Sequence, residues 1–205
     1  MAQTRGTMRA LLPGLIAAGL IGVGLAARRF IRGRPHAAKA TPSMHYVARQ
    51  DADDAFVEVI HSSPTENERR MLEAVALHET TFGAGWHDEG SGSFNMGAIQ
   101  AGPNWTGATF GGTDTHPTSA GGAVAYSTKF RSYPNALEGW KDLVRELYVN
   151  RPSVRHAARM GSVLDVATAM RKTGYYEGQG ATESARIRSY AQALADMLWE
   201  IDRNN

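Results

Sequence analysis

The chain has 205 residues, enough for one compact domain and an appendage. It has no cysteine, which excludes a disulfide framework, a thiolate metal site and a cysteine nucleophile. The formal charge of +2 is unevenly spread: residues 1–42 hold seven of the 22 basic groups and no acid, leaving 15 basic against 20 acidic groups on the rest, so a nucleic-acid-binding face on the domain is not supported.

Residues 10–27, ALLPGLIAAGLIGVGLAA, carry no charge and reach the short end of a membrane span. Arg5 and Arg9 precede the run, and Arg28, Arg29, Arg32 and Arg34 follow it. A basic start and an apolar run also make a secretory signal. The small-x-small triplet Ala38-Lys39-Ala40 lies far beyond the run, behind four arginines, so an uncleaved anchor is the preferred reading of residues 1–27. Residues 28–50 are basic, then Pro/Ala-rich, and read as a linker, with the domain expected over 51–205. Residues 51–62 form a short element that could be helix or strand.

Ser63-Pro64-Thr65-Glu66 has the form of a capping box and predicts a helix start. That helix should run to about Thr80, with Leu72, Val75, Ala76 and Glu79 along one side. Eleven glycines then fall between Gly83 and Gly122, a density no helix survives. An irregular stretch of this length in a compact domain is usually functional. Asn135-Ala136-Leu137-Glu138 is a second capping box, opening a helix that carries Leu137, Trp140, Val144, Leu147 and Tyr148. A third helix is expected from Ser162. The last should run from about Thr182 to Asp202, with Ile187, Tyr190, Leu194, Met197, Leu198 and Ile201 at helical spacing. The fold class is therefore mainly α: a helical domain with one long Gly-rich loop or small lobe, plus the N-terminal hydrophobic helix.

The chemistry concentrates at Glu79, where helix meets loop. A carboxyl at the edge of an apolar stripe is partly desolvated, which suits a general acid. His78-Glu79 begins like a zinc-protease helix, but the fifth position is Phe82 rather than histidine. His87 and His116 have no ligand spacing to anything, so no metal or cofactor is implied.

Four segments in order carry a resemblance: Ala76-Leu77-His78-Glu79-Thr80, Asn95-Met96-Gly97-Ala98-Ile99-Gln100, Lys129-Phe130-Arg131-Ser132-Tyr133 and Thr173-Gly174-Tyr175-Tyr176-Glu177. Over about residues 64–202 the chain resembles the lysozyme-like superfamily (α+β). It is most similar to flagellar-type glucosaminidases and soluble lytic transglycosylases of bacteria and phages. The resemblance implies that Glu79 protonates a glycosidic oxygen of peptidoglycan, with glycan strands as the partner. A hydrolase needs a second carboxylate roughly 5–9 Å away. Asp114 is the first candidate, with Asp88 and Glu89 behind it. A lytic transglycosylase would need only one acid. Tyr133, Tyr175 and Tyr176 are candidates to stack on sugar rings, and Asn95 and Gln100 either shape the loop or line the floor. Glucosaminidase, muramidase and transglycosylase all stay open, beside a non-catalytic wall-binding or structural protein of the same fold. The charge bias around residues 10–27 would leave the domain on the cytoplasmic side, away from a periplasmic or cell-wall substrate. A single span flanked by arginines can escape that rule, the segment can be a signal, or the chain can be a virion component with envelope partners.

Overall fold

The computed structural model describes residues 40–84, 92–118, 123–178 and 180–204, all within the unit formed by residues 36–205. The expected membrane segment 10–27 lies outside the described residues, as do His87, Asp88 and Glu89. No helix among the described residues is long and apolar enough to cross a membrane.

Helix α1 spans Pro42–Ile60 and α2 spans Glu66–Thr80. Strands β1 (Thr109–Pro117) and β2 (Ala123–Arg131) form an antiparallel pair. Helix α3 (Ala136–Val144) continues into a π turn over Arg145–Val149. Helices α4 (Pro152–Met160), α5 (Val163–Lys172) and α6 (Glu183–Asn204) complete the order. The mainly helical class holds, with the expected small lobe realised as a β-hairpin.

Two local readings are corrected. Residues 42–50 are not linker but the first half of α1, capped by the Thr41 side chain with Pro42 in the first turn. The buried face of α1 consists of His45, Ala48, Ala52, Ala55 and Phe56, too small and polar a stripe to register as apolar periodicity. The cap of α2 is Thr65 rather than Ser63. The Thr65 side chain accepts from the Glu68 amide while Glu68 Oε2 accepts from the Thr65 amide at 2.8 Å, which closes the box two residues further on. Helix α4 has no counterpart in the sequence reading.

Helix α2 is the centre of the bundle. Every residue from Met71 to Leu77 is buried, so its apolar stripe becomes a full circumference packed against α1, α4 and α6. Leu72, Val75, Leu143, Val154, Met170, Leu194 and Ile201 are fully buried around it. Each such side chain contributes about 1.5–3 kcal/mol by leaving water. The π turn carries Tyr148, whose hydroxyl donates to the buried Glu68 carbonyl at 2.8 Å and ties α3 to α2.

A lone two-stranded hairpin is marginal in water. Here it is anchored at its base. Phe110 stacks on the buried Phe130 with centroids 5.5 Å apart. The Arg131 amide donates to the Ile99 carbonyl at 3.0 Å, and its Nη1 pairs with Asp142 of α3 at 2.7 Å. The Arg131 guanidinium also lies 4.8 Å over the Trp105 ring.

Candidate active site

Glu79 is the penultimate residue of α2, half-buried, with the chain reversing immediately after it. Thr81, Phe82 and Gly83 take φ values of 51°, 57° and 76° in succession. Across the loop Phe94 and Ala98 are also left-handed, at 52° and 50°. Such backbone costs a non-glycine residue about 1–2 kcal/mol, and its concentration in the loops next to Glu79 makes this carboxyl the candidate.

The two loop strands are bolted together beneath Glu79. Thr80 Oγ1 donates to the Met96 carbonyl at 2.9 Å and accepts from the Gly83 amide at 2.9 Å. Asn95 is buried, donating from Nδ2 to the Ile99 and Arg131 carbonyls and accepting from the Ile99 amide at 2.9 Å. Its amide is fully spent on holding the loop, which takes it out of substrate contact. At Gly97 a Cβ would fall 2.6 Å from the Tyr175 hydroxyl and 2.7 Å from Leu143 Cδ1. Glycine there lets Tyr175 donate to the Gly97 carbonyl at 3.0 Å.

Tyr190 meets the carboxyl directly and is backed by a second tyrosine. The Tyr190 hydroxyl donates to Glu79 Oε1 at 2.7 Å. Tyr176 stacks on Tyr190 with centroids 3.9 Å apart and planes 11° from parallel, and its own hydroxyl donates to the Ala167 carbonyl. His78 meets the Tyr190 ring edge-on at 5.2 Å. Burial, followed by the Glu79 charge, holds the phenols of Tyr190 and Tyr175 well above the usual range. Burial pushes Tyr176 to about 12, against the pull of Arg171. All three stay protonated near neutral pH and act as donors.

Asp114 sits on β1 opposite Tyr126. Gln100 Nε2 donates to Asp114 Oδ2 at 2.6 Å and to the Tyr126 hydroxyl at 2.8 Å, while the Thr115 amide donates to Oδ1 at 2.7 Å. Burial, with the neighbouring Asp114 charge, raises the Tyr126 phenol. These bonds fix the orientation of the Asp114 carboxyl on the hairpin face. Tyr133 is placed differently from the expectation. It is buried, its ring against Trp105 and its hydroxyl on Asp142 at 2.5 Å, so it braces the hairpin base instead of offering a face to a sugar.

The structure thus links Tyr176 to Glu79 through Tyr190, ties Tyr175 to the loop at Gly97, puts Asp114 and Gln100 together on the hairpin, and gives Asn95 and Tyr133 supporting contacts. Tyr190 is the partner of Glu79 that spacing alone concealed, because it sits on the core stripe of α6. The usable signal was its hydroxyl, which a buried position obliges to find a partner.

The fold has counterparts among solved structures. A peptidoglycan hydrolase from Sphingomonas sp. A1 superposes with a TM-score of 0.55 at 20% identity, over 80% of this chain and 96% of that one. The catalytic domain of the autolysin Auto from Listeria monocytogenes does so with a TM-score of 0.53 at 15% identity, over 88% and 97%. A glycoside hydrolase domain of Salmonella typhimurium FlgJ matches with a TM-score of 0.48 at 23% identity, over 78% and 97%. No family model and no curated protein matches the chain. The chain shares its fold with that peptidoglycan hydrolase and that autolysin domain, the kind of fold that the four motif segments led us to expect.

Proposed function

We propose that this chain is a glycosidase that cleaves the glycan backbone of peptidoglycan, with Glu79 as general acid. The observation that carries the proposal is the Glu79 carboxyl itself. It is half-buried at a strained helix end, and one oxygen is occupied by Tyr190. Oε2 takes no hydrogen bond from the described residues, so it is the oxygen to carry a proton to the glycosidic oxygen. Protonating the leaving oxygen lets the sugar depart as a neutral alcohol, and the positive charge developing on the ring needs a second group opposite. Asp114 is that group in our reading, held by Gln100 and the Thr115 amide on the hairpin. Tyr175 and Tyr176 offer aromatic surface to the substrate in this reading. The fold shared with peptidoglycan hydrolases supports the substrate class. The apolar run 10–27 supports attachment of the domain to a membrane beside that wall.

The test is digestion of purified peptidoglycan sacculi by the full chain and by Glu79→Gln, read by mass spectrometry. Release of muropeptides by the wild type alone supports the reading. A reducing N-acetylglucosamine end then identifies a glucosaminidase, a reducing N-acetylmuramic acid end a muramidase, and an anhydro end a transglycosylase. If neither protein releases products from several wall types, the fold serves binding or structure instead.

A further inference from the structure

The contacts around Glu79 close into a ring. Glu79 accepts from Tyr190, and Tyr190 stacks on Tyr176. The next residue, Glu177, pairs through Oε1 with His116 Nδ1 at 2.8 Å. The His116 ring lies flat on Tyr126, centroids 4.1 Å apart and planes 2° from parallel. The Tyr126 hydroxyl accepts from Gln100, three residues beyond Gly97 and four beyond Met96. Those two carbonyls take the hydroxyls of Tyr175 and of Thr80, the neighbour of Glu79. Among the described residues, the His116–Glu177 pair is thus a link through which the hairpin meets the segment between α5 and α6.

We infer that the space between the hairpin and Glu79 is the substrate groove, and that His116 and Glu177 form a clasp across it and set the length of glycan the site accepts. This rests on the glycosidase reading above. A strand end or a short fragment can pass into a groove that is closed on one side. The interior of a long, cross-linked strand cannot thread under the link and needs it open. Both side chains are about half exposed, 54% and 52%, and an exposed pair of this kind holds weakly. The flat stack on Tyr126 pre-orients the imidazole, which reduces the ordering cost of closing. Closed and open forms therefore coexist, and the clasp biases cleavage toward ends rather than forbidding interior cuts.

The chain contains no cysteine, so His116→Cys together with Glu177→Cys introduces the two thiols needed for locking. The full-length double variant is treated with a short bis-maleimide, and linking is read by intact mass. Linked and unlinked protein are compared on intact sacculi and on a soluble peptidoglycan tetrasaccharide. Locking should leave tetrasaccharide cleavage within about two-fold and lower sacculus cleavage about ten-fold or more, because the open population is removed. Conversely, His116→Ala and Glu177→Gln should each raise the sacculus-to-tetrasaccharide ratio roughly two- to five-fold, as expected for losing one exposed pair. An unchanged ratio on locking, or no intramolecular link at all, overturns the clasp. If the wild type cuts neither substrate, the glycosidase reading falls and takes the clasp with it. That outcome is distinct from one in which both substrates are cut and locking changes nothing.

Discussion

Tyr190 and Glu79 stand 111 residues apart in the chain, yet the phenol of one donates to the carboxyl of the other at 2.7 Å. The bond joins the central helix to the last one at the point where chemistry is proposed. It also decides which carboxyl oxygen is free. Tyr190→Phe keeps the ring and its stack on Tyr176 while deleting the donor. A hydrogen bond to a charged group is worth roughly 1.5–3 kcal/mol, so kcat should fall roughly 10- to 100-fold. KM should stay nearly constant, because Tyr190 positions the acid and does not hold the sugar. Steady-state kinetics on solubilised glycan separates the two; a rise in KM alone would reassign Tyr190 to binding.

Asp114 is fixed by donors from Gln100 and the Thr115 amide, an arrangement suited to a carboxylate facing developing positive charge. Asp114→Asn preserves size and most of the hydrogen bonding. A group acting as base or charge partner contributes roughly 100-fold or more, and the variant should lose about that much in kcat with its melting temperature little changed. Full retention of activity, especially with anhydro product ends, would instead mean a single-acid mechanism assisted by the substrate.

Gly97 is packed tightly against Tyr175. Its virtual Cβ meets Tyr175 Oη and Leu143 Cδ1, and Leu143 is fully buried and cannot retreat. Gly97→Ala should destabilise the domain by about 1–3 kcal/mol, or about 3–10 °C in Tm. Removing the Tyr175 hydroxyl relieves one of the two clashes. The double variant with Tyr175→Phe should therefore recover part of the loss, and a calorimetric cycle of the four proteins measures how much. Strict additivity would place the strain elsewhere.

The parts of this site that follow local rules were legible in the sequence. Glu79 at the end of an apolar helix, the stop at Gly83 and the long last helix all rest on spacing and glycine chemistry. What escaped depends on contacts distant in sequence. The first helix hid because its inner face is Ala48, Ala52, Ala55 and His45, which carry almost no hydrophobic contrast. The hairpin hid because its strands are rich in Thr, Gly and Ser and lean on Phe130 and Arg131 at one end for support. Asn95 and Tyr133 have the right chemistry for a sugar site, and only their partners, Ile99 and Asp142, reveal that it is already used. Tyr190 is the converse, a core-face residue whose polar tip alone belongs to the site.

Glu73, also on α2, carries a pH signature independent of activity. It is wholly buried, with Arg49 Nε 3.4 Å from Oε1 and no partner for Oε2. Burial outweighs the Arg49 attraction and raises its pKa from 4.5 to about 7. The folded state thus holds this proton more tightly than the unfolded one, and stability falls as pH rises from about 4.5 to 7. The cost is absent below that window and complete above it, at most roughly 3 kcal/mol for a shift of this size. His45 works in the opposite sense: burial lowers its pKa below 6.5, so its contribution to stability grows as pH rises toward that value. The net slope of the wild type mixes the two, and Glu73→Gln isolates one. The variant should gain stability over the wild type at pH 8 by roughly 2–3 kcal/mol and show little difference at pH 4.5. Urea titrations of both proteins at the two pH values measure this. A difference that does not change with pH would mean that Glu73 keeps one protonation state throughout.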